Sequence, residues 1–258
     1  MTLPQALALF VAAMLAGALN SVAGGGSFIS FPALLQIGRV PAIAANATNT
    51  VALWPGSVAS IAAYRRELRS HGRRLASLAP VSLAGGVLGA LLLIKTPERT
   101  FLMVLPWLLL TATLLFAFGK RITAWTADRR RTGSPRRPWA AALGAALLQL
   151  VIATYGGYFG GGIGMLMLAL LSVMGMTEIH AMNAMKATLA SCINGVAVVT
   201  FIWYGQVAWP HALLMIVGAV AGGYGGAHYA MKLPPAIVRG FVLCVGFGMT
   251  IYFFVRPS

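Results

Sequence analysis

Acidic residues are almost missing from this chain: of 258 residues only four are Asp or Glu. Chemistry built on paired carboxylates therefore has little to draw on. Glu67, Glu98 and Asp128 fall in or beside links between apolar stretches, and Glu178 opens one such stretch, where an acid favours a helix N-terminus. Charge of either sign is scarce, at 9% of residues against about a quarter in a soluble domain. A chain so poor in charge cannot cover a water-facing surface, and lipid is the solvent that suits it. The only cysteines, Cys192 and Cys244, lie inside apolar segments at a spacing that gives neither a metal site nor a disulfide. His180, His211 and His228 lack metal-ligand spacing, and no His-Glu-x-x-His pattern occurs, so no catalytic group, cofactor or metal is expected. No G-x-x-x-x-G-K-[ST] loop is present to bind ATP phosphates.

What the chain has instead is apolar length. Hydrophobic residues make up 59% of it, and the mean hydropathy is +0.83. The net charge of +15 raises the question of nucleic acid, since basic domains neutralise phosphates. The placement of that charge answers it. Five of the 19 Lys and Arg lie between Arg65 and Arg74 and seven between Lys120 and Arg137. Short basic runs between apolar segments are what the positive-inside rule gives for cytoplasmic loops. The expected partner is a lipid bilayer and not a nucleic acid.

A helix needs about 20 predominantly apolar residues to cross a bilayer. Segments near that length run over Pro4–Val22, Pro41–Tyr64, Leu75–Ile94, Glu98–Gly119, Pro138–Tyr155, Glu178–Tyr204, Val207–Ala230 and Pro234–Val255. Two apolar pieces, Ser27–Ile37 and Ile163–Met174, are too short, and each follows a glycine triplet: Gly24, Gly25 and Gly26, then Gly160, Gly161 and Gly162. The first segment lacks the basic start of a signal peptide and has an internal counterpart, so it is kept as structure.

The halves also match residue by residue. Ala84, Gly85, Gly86, Gly89, Ala90, Lys95 and Pro97 recur at Ala221, Gly222, Gly223, Gly226, Ala227, Lys232 and Pro234, all at an offset of 137. Asn46-Ala47 and Asn183-Ala184 share that offset, and the triplets fall one residue short of it. The expected fold is an all-α integral membrane protein of about eight transmembrane helices plus two short half-helices, built from two homologous repeats. Residues 1–119 form the first repeat, 120–137 a basic cytoplasmic loop, and 138–258 the second repeat. If the short helices re-enter, each half crosses four times and the repeats are parallel. If they complete crossings with their neighbours, each half crosses five times and the repeats are inverted.

The runs NSVAGGGSFISFPALLQIG, AANATNTVALWPGS and AAYRREL in the first half resemble the TauE/SafE family. So does YGGYFGGGIGMLMLALLSVMGMTEIHAMNAMKATLASCINGV in the second. The resemblance covers nearly the whole chain in order. It implies a multi-helix fold of two homologous halves in the cell membrane, and export of sulfite, an organosulfonate or a related small sulfur-containing anion, with proton coupling as one option. A passive anion channel is the first alternative and an intramembrane enzyme the second.

Repeat-built transporters often bind their solute near the bilayer midplane, where helices are interrupted. Glycine permits such a break and a close approach to the backbone. A half-helix starting after it offers unpaired N–H groups and a positive dipole end, which suit an oxyanion. Ser27 adds a hydroxyl at the first break, whereas its counterpart Ile163 cannot. The competing role for these glycines is close helix packing, and packing is the expectation for the two Ala-Gly-Gly segments. Lys186 is the one basic residue well inside a span, and a lysine there is costly unless it pairs, snorkels or faces water. It is expected to attract the anion, with Asn46, Thr48, Asn49 and Asn183 hydrogen-bonding it. Tyr155 and Tyr158 flank the second triplet and are candidates for solute contact, or else members of an interfacial aromatic belt with Trp203, Tyr204 and Trp209.

Overall fold

In the computed structural model the described residues are 1–22, 26–63, 68, 71–132, 138–230 and 235–255. Among them the chain is helical and contains no strand. The helices are α1 (Leu3–Val22), α2 (Ser27–Gln36), α3 (Ala42–Ala63), α4 (Gly72–Lys95), α5 (Glu98–Thr132), α6 (Pro138–Tyr158), α7 (Ile163–Val173), α8 (Ile179–Trp203), α9 (Trp209–Ala230) and α10 (Pro235–Val255). All but one of the expected segments begin and end within a turn of these helices. The exception is α5, whose 35 residues carry helix through residues 120–132, where a loop was expected. Hydropathy marks where lipid ends. A helix satisfies its own backbone in water as well, so it need not stop where hydropathy falls.

Lipid shapes the outside of the bundle. Large apolar side chains on the outer faces stand open, among them Trp107 at 60%, Val151 at 65% and Val217 at 60% exposure. A water-soluble surface does not present apolar area so continuously. Among the described residues four stretches are long and apolar enough to cross a membrane: Leu3–Asn20, Gly72–Lys95, Glu98–Gly119 and His180–Trp203. Helix α3 is held inside, with Ala45, Asn46, Ala47, Thr48, Asn49, Val51 and Ala52 all buried. Its polar residues are thereby kept from lipid.

Two helix pairs bring backbone against backbone. A methyl group on Gly222 would stand 1.8 Å from the Met14 carbonyl oxygen, and one on Gly17 would stand 2.1 Å from that of Ala219. This joins α1 to α9. The same construction joins α4 to α6, where a methyl on Gly89 would lie 2.1 Å from the Thr154 oxygen and one on Gly157 2.2 Å from the Gly86 oxygen. The Ala-Gly-Gly segments are therefore packing surfaces, as expected. Replacing Gly222 by Val should push α1 off α9 at an overpacking cost of about 1–3 kcal/mol or more. Thermal unfolding in detergent should record a fall of several degrees, whereas Gly240→Val, with open space around it, should change little.

Exchanging the two halves leaves most of the helix contacts in place. The pair α1–α9 maps onto α6–α4, α4–α8 onto α9–α3, α5–α7 onto α10–α2, and α1–α2 onto α6–α7, while α3–α8 and α5–α10 map onto themselves. Where α3 crosses α8, the Trp54 indole N–H donates to the Ser191 carbonyl at 3.1 Å. Those two residues are themselves 137 apart, so equivalent positions meet at the centre of the exchange.

Contacts at the helix ends fix the directions. The starts of α3 and α5 meet, because the Glu98 carboxylate accepts from the amides of Ala42 and Ile43. The link before α9 joins them, since Thr48 Oγ1 accepts from the Ala208 amide at 3.0 Å and Gly38 lies against His211. At the opposite end, Leu68 and Leu75 pack into one cluster with Met174 and Met176. Phe10 lies beside Gly218 and Met14 beside Gly222, so α1 runs parallel to α9; Gly85 beside Leu150 and Gly89 beside Thr154 make α6 parallel to α4. Helix α1 thus starts at the first end of the bundle and α6 at the second. Each short helix then returns the chain to the end where its long partner began. The pairs α1–α2 and α6–α7 are hairpins inserted from opposite ends, and neither adds a net crossing. The expectation that re-entry goes with parallel halves does not match these directions, since α1 and α6 start at opposite ends of the bundle.

Candidate functional site

The second break is built by glycine. Helix α6 ends at Tyr158, Gly160 takes φ +79° and Gly162 φ +74°, and α7 begins at Ile163 with Gly162 as its N-cap and no side chain capping it. Both glycine angles are left-handed and cheap only without a Cβ. The carbonyls at the end of α6 are taken up by the protein. The Asn46 amide nitrogen, arriving from α3, donates to the Tyr158 carbonyl at 3.0 Å. The Tyr155 carbonyl accepts from Phe159 at 2.9 Å and from Gly160 at 3.3 Å, and the Tyr155 hydroxyl donates to the Gly161 carbonyl at 2.7 Å. At the α7 tip, the Met165 amide turns back to the Gly162 carbonyl at 3.0 Å.

Lys186 meets that tip. It sits on α8 with its stem against the first turn of α7, where a methyl added to Gly164 would be 3.3 Å from Lys186 Cδ. Its Nζ donates to Asn183 Oδ1 at 3.0 Å, one turn earlier on the same helix. Lys186 and Asn183 are half-buried, and no carboxylate of the described residues bears on the ammonium. A helix N-terminus, the positive end of its dipole and a cation thus converge.

The first break is neutral. Gly24 and Gly25 lie outside the described residues; Gly26 precedes α2 in ordinary right-handed conformation. Asn49 is buried on α3, and its Nδ2 donates to Ser27 Oγ at 3.1 Å while its Oδ1 accepts from Ser30. Ser30 also reaches the Gly26 carbonyl at 3.1 Å. Asn49 and Lys186 are related by the repeat offset, and each lies against the first turn of its own short helix. One position is closed by mutually satisfied amide and hydroxyls, and the other holds an uncompensated cation.

The structure therefore divides the sequence candidates. Gly160, Gly161, Gly162, Tyr155, Tyr158, Asn183, Lys186 and Asn46 gather at the second break. Gly26, Ser27 and Asn49 gather at the first. Thr48 goes to neither: its hydroxyl caps the link before α9 at the end of the bundle. Sequence reasoning missed Ser30, although it is three residues from Ser27 and so shares its helix face. It also missed that Asn46 serves the other half's break, because no local pattern encodes a bond across 112 positions.

These interruptions and their partners lie within the reach of a known family. The profile described as "Sulfite exporter TauE/SafE" matches residues 9–253. The chain belongs to the TauE/SafE family. Among its relatives, a "Probable membrane transporter protein ORF9" of Sinorhizobium sp is 30% identical over 255 residues, 97% of this chain and 92% of the relative. A "Probable membrane transporter protein" of Haemophilus influenzae is 28% identical over 94% of this chain and 91% of its own length. "Probable membrane transporter protein YfcA" of Escherichia coli K12 is 29% identical over 92% and 85%. No solved structure matches. This TauE/SafE chain is thus a membrane transporter by family, with an all-helical fold to match.

Two of the four acids are committed to structure in this family member. Glu98 caps α3 from the neighbouring helix. Glu178 caps α8, accepting from the amides of His180 at 2.8 Å and of Ala181. The Ala181 and His180 amides, with smaller contributions from the His180 and His71 charges, hold the Glu178 carboxyl below its usual range. A depressed carboxyl stabilises the fold above its unfolded pKa, and that contribution is lost as pH falls through the lower folded value. Glu178→Ala should accordingly lower thermal stability near neutrality, by an increment that shrinks in acid. A pH series of melting curves for both proteins checks it.

Proposed function

We propose that this TauE/SafE member is a secondary transporter of a small anion, exporting sulfite, an organosulfonate or a related sulfur-containing anion across the cell membrane. The observation that carries the reading is the Lys186 ammonium, packed against the glycine-opened tip of α7 with no carboxylate beside it. Isolated charge is expensive at membrane depth, and an anionic guest would supply the missing counter-charge. Asn183, already bonded to Lys186, and the amides of Ile163 and Gly164 are the neighbouring donors. Asn46 and Tyr155 hold the break open from behind.

The helix directions favour a multi-pass protein with inverted halves. In sequence the basic clusters fall in or beside the links α3–α4 and α5–α6, and the helices that follow those links, α4 and α6, start at one end of the bundle, while Arg39, Lys95 and Arg99 lie at the other. The positive-inside rule makes the clustered end cytoplasmic. The hairpin α6–α7 then enters from the cytoplasm. Lys186 lies seven residues above the start of α8 and seventeen below its end, or about 10 Å from one side and 26 Å from the other at 1.5 Å per residue. A site nearer the cytoplasm suits loading for export.

The test is flux in proteoliposomes with sulfite, sulfate, taurine and sulfoacetate supplied singly. A carrier saturates and shows counterflow, whereas a channel follows the electrochemical gradient without counterflow. Absence of flux for every anion would remove the transport assignment from this chain.

A further inference from the structure

A second donor-rich place lies away from the α7 tip, at the end of the bundle where the links α2–α3 and α8–α9 meet. An open depression of about 380 Å³ there is lined by Gly38, Arg39, Pro41, Gln206, Val207 and His211, among others. That is the lower part of the size range of small-molecule sites. Its walls are fixed before anything binds. The amides of Gly38 and Val40 bond to Ala33 and Leu34 at 3.0 and 3.1 Å, those of Gly205 and Gln206 to Ile202 and Phe201 at 3.1 and 2.9 Å, and Thr48 pins Ala208 across the gap.

The lining contains no carboxylate. Glu98, at the neighbouring start of α3, has its oxygens engaged by Ala42 and Ile43. What remains is an exposed guanidinium, a primary amide and an imidazole. His211 packs its ring against Gly38. The backbone adds an independent mark. Arg39 has φ +53°, the only positive φ outside glycine among the described residues. The position just past a helix end is one where glycine adopts that conformation freely. Gly38, one residue earlier, does not use its freedom. A long cationic side chain is thus retained at a strained position that its absence would relax, and strain of this sort is characteristic of ligand clamps.

We propose that this depression is a docking site for a small sulfate- or phosphate-like oxyanion, with Arg39 as the anchoring charge and Gln206 as a further donor. The oxyanion is either a free solute or the phosphate of a lipid headgroup. The site is separate from Lys186, so it stands or falls independently of the transport site.

The test is thermal unfolding of the full chain in neutral detergent, with millimolar sodium sulfate against sodium chloride at equal ionic strength. Sulfate should raise the wild-type Tm by several degrees. Arg39→Gly should melt a few degrees higher than wild type without sulfate, because the left-handed strain is gone, and should lose the sulfate shift. Arg39→Lys should keep part of that shift, and the part lost in Arg39→Gly should be lost equally when Arg39→Gly is made in a Lys186→Met background. If added phosphatidylglycerol leaves the sulfate shift intact, the occupant is a free anion. If it reproduces the Arg39-dependent shift and abolishes that of sulfate, the occupant is a headgroup. A sulfate shift equal in wild type and Arg39→Gly, or no Arg39-dependent shift with either probe, overturns the site. So does an Arg39→Gly protein less stable than wild type with an unchanged response.

Discussion

Replacing Lys186 by Met should cut anion flux by about ten- to a hundredfold while leaving the protein folded in the membrane. The expectation rests on shape and charge moving separately. Methionine keeps most of the lysine stem, so the packing against Gly164 is nearly preserved, and swaps of similar volume are the best tolerated. What disappears is the ammonium. A hydrogen bond to a charged group contributes about 1.5–3 kcal/mol, and each 1.4 kcal/mol is a factor of about ten in affinity. Stability should move the other way, because a lysine inside a span costs about 2.5–3.5 kcal/mol at a helix centre in insertion measurements and less toward the helix end where Lys186 sits. Lys186→Arg keeps the charge but trades a compact donor for a planar fork, and should retain part of the flux with an altered choice among anions. A structural lysine predicts the reverse of this pattern, with Lys186→Met less stable and its flux per folded molecule unchanged. Flux in proteoliposomes, normalised to monodisperse protein and read beside melting curves, separates the two.

Much of this architecture is legible in the chain because lipid makes it so. A bilayer allows few backbone solutions, so hydropathy and glycine punctuation place nearly every helix end. They also find the two short helices. Direction was not legible. Whether a short helix turns back or goes on depends on contacts such as Gly26 against Ala16, and these leave no periodic trace. The same limit applies to the site. Lys186 and Asn183 could be paired from their spacing on one helix, and both glycine breaks from their composition. The fate of Asn46, Thr48 and Asn49 could not be read. Three polar residues within one turn of α3 serve three different elements, and only the packing of α3 at the centre of the bundle decides which serves which.

Asn46 is where those two levels meet, and its replacement should have the second largest effect. Asn46→Leu preserves bulk but removes the donor to the Tyr158 carbonyl. That carbonyl ends α6 and has lost its helical partner to the break, and Asn46 itself is only 2% exposed. An unsatisfied buried polar group costs about 1–3 kcal/mol, and here the cost falls on the segment that aims the α7 tip. Two consequences should appear together: a lower melting temperature, and flux reduced by about ten- to a hundredfold with Lys186 intact. Asn46→Gln keeps the amide on a longer arm and should recover part of both. Asn49→Leu, which disturbs the neutral break, should lower stability through the loss of Ser27 and Ser30 as partners while leaving the flux of the folded fraction near wild type. Equal loss of flux in the two leucine variants would mean that both breaks bind the anion, and that the charge difference between the halves does not decide where it sits.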